Sequence, residues 1–301
     1  MPVPVKKAAA LFAFALLVSA GGANAADALK MRQLPPIYQD SKGKGIRQPE
    51  GVACRGNSLV VADTGNGRLV RYTASGESWA PAGEIVLPQL PSPIRLDLNS
   101  KGEIIALDGS SRKVARVAPS GEFLGYVSPP AEARGIFVPR SLRIGPDDAV
   151  YLLDVASARV LVVDPSGKLV REIPFPKEHG FFSDLAVDAG GNVYLVDSVR
   201  KRVYRAAKGA DAIALGGSLR EEAYFPTSIA LDGRGTIFLV DQNGDGIVLL
   251  GPDGSLRGRR LSMGWKEGFL RSPAQMCISE NGSIFIADRG NNRVDAFRIS
   301  E

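Results

Sequence analysis

Residues 49–77 read PEGVACRGNSLVVADTGNGRLVRYTASGE, and residues 273–300 read PAQMCISENGSIFIADRGNNRVDAFRIS. Each opens with a proline and a short apolar-alternating run. A turn rich in Gly, Asn and Ser follows, then a second apolar run ending in aspartate. A second polar turn leads through a basic residue to a third run. Alternation with period two, broken by turn chemistry at this spacing, predicts antiparallel strands. Four weaker copies lie between, beginning at Pro93, Pro139, Phe182 and Pro226; the fourth of the six departs by opening on Phe182 instead of proline. The repeated aspartates are Asp63, Asp108, Asp154, Asp197, Asp241 and Asp288, at intervals of 45, 46, 43, 44 and 47 residues. No segment carries a convincing amphipathic-helix pattern.

A repeat of this length holding about four short strands is the signature of a propeller blade. The copies PEGVACRGNSLVVADTGNGRLVRY and SPAQMCISENGSIFIADRGNNRVDAF resemble NHL repeats. The resemblance implies an all-β chain: a six-bladed β-propeller of four-stranded antiparallel blades. The last copy ends after its third strand, so its outer strand has to come from elsewhere. The segment Leu29 to Ile37 is the unassigned candidate. It is expected to pair with Val294–Ile299 and close the ring, removing an edge otherwise open to intermolecular pairing.

The chain begins with Lys6, Lys7, an apolar run from Ala8 to Val18 and the small residues Ala23-Asn24-Ala25. This is the layout of a cleavable export signal, so residues 1–25 are read as a leader and 26–301 as the propeller. A periplasmic or secreted, non-membrane-spanning protein is expected, since the apolar run is too short to span a bilayer. The formal net charge of +5 includes both leader lysines. With few aromatic residues beside the basic clusters, nucleic acid is not an expected partner.

In five copies a base lies five residues after the aspartate: Arg68, Lys113, Arg159, Arg202 and Arg293. Repetition of this kind points to a structural role, since a catalytic group needs a distinctive environment. The fifth copy carries DQNGDG, residues 241–246, with Gly246 at the basic position. Asp241, Asn243 and Asp245 begin like a calcium loop. The twelfth position, however, is Pro252 where an EF-hand places glutamate, and strand residues replace the expected helix. The stretch is read as a hydrated turn, and no cofactor is expected beyond this calcium candidate.

The two cysteines, Cys54 and Cys277, occupy equivalent strands of the first and last copies with opposite parity. Ring closure makes those blades neighbours, and the pair is a disulfide candidate. Two buried free thiols are the alternative.

In NHL propellers the first strand of each blade lines the central channel. Carried over by position, the resemblance places Glu50, Arg95, Arg140, Asp184, Ser228 and Gln275 at one channel mouth as candidate ligand-binding residues. Arg95 and Arg140 suit an anionic or zwitterionic ligand, oriented by Glu50 and Asp184; mutual pairing of these charges is the alternative. The single histidine, His179, precludes a three-histidine zinc site. No G-x-S-x-G elbow or phosphate-binding loop is present. The expected function is non-catalytic: binding of a protein, peptide or glycan partner in the cell envelope at the mouth face. A metal-dependent lyase or lactonase-like enzyme and a structural component of an envelope complex are the alternatives.

Overall fold

The structure, a computed structural model, describes Met1 and residues 29–300; the leader expected at 1–25 falls outside the described residues apart from Met1. Six four-stranded antiparallel sheets form the blades. After β1 (Lys30–Ile37), blade one comprises β2 (Gly51–Arg55), β3 (Ser58–Asp63), β4 (Arg68–Ser75) and β5 (Ser78–Ile85). Blade two is β6 (Pro93–Leu98), β7 (Ile104–Asp108), β8 (Val114–Val117) and β9 (Phe123–Val127). Blade three is β10 (Pro139–Ile144), β11 (Val150–Asp154), β12 (Arg159–Val163) and β13 (Leu169–Pro174). Blade four is β14 (Phe182–Val187), β15 (Val193–Asp197), β16 (Arg202–Ala206) and β17 (Ala212–Leu215). Blade five is β18 (Pro226–Leu231), β19 (Ile237–Asp241), β20 (Gly246–Leu250) and β21 (Leu256–Arg260). Blade six adds β22 (Met276–Ile278), β23 (Ser283–Asp288) and β24 (Arg293–Ser300). Among the described residues no helix is long and apolar enough to cross a membrane.

The expected closure is present. β1 completes blade six, pairing antiparallel with β24 from Lys30 opposite Ser300 to Ile37 opposite Val294. The same joint carries a Cys54–Cys277 disulfide, with Cα atoms 5.9 Å apart. Its flanking core includes Leu34, Ile37, Val52, Phe285, Ala287 and Val294, with Trp79 against the Phe285 ring edge. The closing interface thus uses the aliphatic packing found between the other blades.

Second strands are buried on both faces: every residue of β7, β11, β15 and β19 is buried. Each lies between neighbouring blades, which is why IIALD, VYLLD, VYLVD and IFLVD read as continuous apolar runs. The turns leading into these strands are fixed by side-chain acceptors. Asn99, Asp188 and Asp232 each take backbone N–H groups from residues two and four positions on. Gly102, Gly191 and Gly235 hold positive φ of 76°, 77° and 78° in those turns, which glycine adopts without steric cost.

Candidate functional site

The blade aspartates share one structural job. Each is fully buried and accepts a backbone N–H from the connector that enters its own blade. Asp63 receives Arg47, Asp108 receives Ser92, Asp154 receives Val138, Asp197 receives Phe181, Asp241 receives Phe225 and Asp288 receives Arg271. Asp108, Asp154 and Asp197 also take backbone N–H groups from the following turn, and Asp63 and Asp288 take the side-chain amides of Asn66 and Asn291 there. A carboxyl group with several donors ties the two loops together.

The basic residues follow a cross-strand rule. Two positions beyond each base, the third strand faces one residue of the outer strand, and that residue decides the neutralisation. In blade one it is Glu84, opposite Val70, and Arg68 bridges Asp63 at 2.7 Å, Glu84 at 2.8 Å and Asp40 at 2.5 Å. In blade three it is Glu172, opposite Leu161, and Arg159 bridges Asp154 at 3.2 Å and Glu172 at 3.1 Å. In blade two it is Tyr126, opposite Ala115, whose ring lies 4.9 Å beneath the Lys113 ammonium. In blade four it is Ala214, opposite Tyr204. Blade six has a register irregularity there; Arg293 bonds Asp295 at 2.8 Å and lies 3.1 Å from Asp288.

Blade five corrects the sequence reading that Asp241 lacks a cation. Its facing residue is Arg259, opposite Val248, and this guanidinium reaches Asp241 at 2.7 Å from the outer strand. The cation has moved across the ladder instead of disappearing. Asp245 occupies the left-handed turn position, with φ 52°, shared by Gly67, Arg112, Ala158, Lys201 and Asn292. Its carboxylate accepts the Ser272 N–H at 2.6 Å. Asp241 and Asp245 therefore serve connector contacts while the Asn243 side chain is exposed, and no group of three His, Cys, Asp or Glu suited to a metal occurs among the described residues.

The channel-mouth candidates separate into two sets. Asp184, Ser228 and Gln275 are fully buried and engaged with protein groups. Asp184 accepts the hydroxyls of Ser141 at 2.5 Å and Ser228 at 2.7 Å, the Arg143 guanidinium at 2.9 Å and the Ile229 N–H at 3.1 Å. Gln275 joins blades six, one and two, accepting from Val52 N–H and donating to the Leu96 carbonyl. Arg143 is a residue the sequence reading missed; it alternates with Ser141 along β10, so strand parity was the available signal.

The second set is less complete. Arg95, 4% exposed, donates through Nη1 to the Glu50 and Ile94 carbonyls, while its Nε has no partner among the described residues. The Nε of Arg140 and the hydroxyl of Thr227 are likewise buried and unpartnered. The Arg140 guanidinium lies 5.7 Å from the Phe181 ring centre. Burial pulls Arg95 down to about 10; Asp184 opposes this shift and Arg140 adds to it. Arg140 is also lowered, again chiefly by burial. Glu50 is partly exposed, with a carboxylate oxygen 3.5 Å from Arg289 Nε. The mouth combines under-neutralised cations with one accessible carboxylate.

These donors do not suit a divalent ion. Glu50 faces arginines, Asp184 is saturated by four donors, and the remaining ring positions are Ile94, Arg140, Ser183, Thr227 and Ala274. His179 is remote in role. Its Nδ1 meets the Pro176 carbonyl at 2.8 Å and its ring stacks on Phe182.

Fold and ring closure define a six-bladed β-propeller. No family model and no curated protein matches the sequence. Among solved structures the chain is similar to virginiamycin B lyase from Staphylococcus aureus, at 14% identity and TM-score 0.62, covering 90% of this chain and 100% of that one. It is also similar to a gluconolactonase from Xanthomonas campestris, at 13% identity and TM-score 0.66 over 90% and 98% of the two chains. A third is the PQQ-bound aldose sugar dehydrogenase from Streptomyces coelicolor, at 14% identity and TM-score 0.63 over 90% and 98%. Identities this low establish the shared fold. The neighbours nevertheless correct the expectation of a non-catalytic propeller binding a protein, peptide or glycan, because all three are enzymes.

Proposed function

We propose that this chain is an exported propeller enzyme of the lyase or lactonase type, built from NHL-like repeats, that cleaves a C–O bond beside a carbonyl at the channel mouth. The observation that carries the reading is the pair Arg95, buried, and Arg140, partly buried, each with a buried Nε that has no partner among the described residues, beside the partly exposed Glu50. The Cys54–Cys277 bond supports an oxidising compartment, periplasmic or extracellular. The 1–25 leader accords with that location.

Cleavage of a lactone places negative charge on the carbonyl oxygen. Fixed cations aimed at that oxygen are worth more in a buried site than in water. Arg95 and Arg140 take that role. Glu50 accepts the proton of an attacking water as the hydroxyl adds to the carbonyl carbon, then returns it to the departing ring oxygen as the C–O bond breaks. Thr227 offers one further hydroxyl to the substrate. No step runs through a metal, since the donor set does not fit one.

The test is a panel of small lactones and cyclic esters followed by proton release, with unsaturated products monitored in parallel to detect elimination. Turnover by the wild type and a loss of about 10²-fold or more in kcat for Glu50→Gln, with an unchanged melting temperature, are expected. Absence of turnover across the panel, or a fully active Glu50→Gln, would refute the assignment.

A further inference from the structure

Blade four breaks the neutralisation rule in one place. Arg202 sits where Arg68 and Arg159 sit, yet it forms no ion pair among the described residues. The reason lies in two local facts. Asp197 is occupied by the backbone N–H groups of Gly180, Phe181, Val199 and Arg200. The cross-strand position that carries Glu84 in blade one and Glu172 in blade three carries Ala214 here. The strand register keeps the base and deletes its acid.

The missing side chain helps leave an open groove of about 500 Å³. Three guanidiniums line it, those of Arg200, Arg202 and Arg220, together with Tyr204. Glu178 is the sole acidic lining residue; it is 89% exposed at the side chain and 3.9 Å from Arg200, a separation at which an exposed pair contributes little. Three planar donors around one opening match the geometry of phosphate and carboxylate oxygens.

We propose that this blade-four groove is a second binding site, separate from the channel mouth, that takes a small ligand bearing a multivalent oxyanion, phosphate or polycarboxylate. Arg202 is its central donor because, among the described residues, it is the one repeat-position arginine with no acidic partner. The site is independent of the catalytic reading above.

Isothermal titration calorimetry at fixed ionic strength, with inorganic phosphate and citrate as separate probes, tests it. Saturable binding of at least one probe is expected, and which probe binds distinguishes a phosphate from a carboxylate ligand. Ala214→Glu, which restores the acid found in blades one and three, should weaken binding by about tenfold or more without lowering the melting temperature. Arg220→Gln gives the same direction at an exposed position and covers the case in which the first variant misfolds. The proposal is overturned if neither probe saturates by about 20 mM, or if folded Ala214→Glu and Arg220→Gln both bind as the wild type does.

Discussion

Asp154 shows what a single repeat residue contributes. One oxygen holds three backbone N–H groups and the other meets Arg159. Asp154→Ala strands those donors and leaves a buried cation short of a partner, a loss expected to cost about 3–5 kcal/mol in urea unfolding. Arg259→Ala leaves Asp241 its Tyr224 and Phe225 N–H groups and should cost less, about 1–3 kcal/mol. An Asp154→Ala protein as stable as the wild type would remove the clamp role assigned to the series. Acid–base behaviour centres on Asp295. Burial, reinforced by Asp288, pushes its carboxyl up to about 8, against an ordinary 3.8. A carboxyl raised on folding binds its proton more tightly in the folded state. The stabilisation is therefore complete below about pH 4 and lost as pH rises toward 8. Melting temperature should fall across that window, and Asp295→Asn should flatten the fall; an unaltered slope would show that another group governs it. Asp40, held down to about 2 chiefly by its hydrogen bond from Arg68, acts in the opposite sense and loses its contribution only in strong acid.

Two elements fasten the ring at one joint, and they act differently. The β1–β24 pairing supplies a ladder and the buried side chains of Leu34 and Ile37. The disulfide spans 223 residues and, in the chain-entropy view, restricts the unfolded chain by up to about 5 kcal/mol. The double variant Cys54→Ser/Cys277→Ser should therefore melt lower without associating more than the wild type does. Removing residues 29–37 should bare the edge of β24 and drive association, seen by light scattering. If the two variants associate to the same degree, the strand is not what protects that edge. The strand was readable in the sequence because the last copy lacks one; the cysteines, at equivalent places with opposite parity, were legible as a candidate pair, but bonded and free thiols share that spacing. The cross-strand partners were not readable. Arg259 serves Asp241 from 18 residues away, and Ala214 matters through what stands opposite Tyr204; register alone brings these together.

At the scale of the molecule, blade count and closure follow from tandem turn chemistry, whereas the interior of the channel does not. Asp184, read as a mouth residue, is consumed by Ser141, Arg143 and Ser228 from neighbouring blades. Ser141 and Arg143 reach it from β10 and Ser228 from β18, each more than 40 residues away, so no local motif around Asp184 announces them. Arg95 and Glu50 meet through the Glu50 carbonyl because blade position sets both, while the lack of a histidine cluster speaks only against one kind of zinc site and not against chemistry carried by other side chains.

The clasp has a topological corollary. Lys30 and Ser300 stand directly opposite one another, so a short peptide could splice the first strand to the last and make the backbone endless. New ends could then be cut at the exposed hairpin of residues 208–211, between β16 and β17. Such a permuted chain would retain every pairing in the ring while carrying its break in blade four instead of blade six.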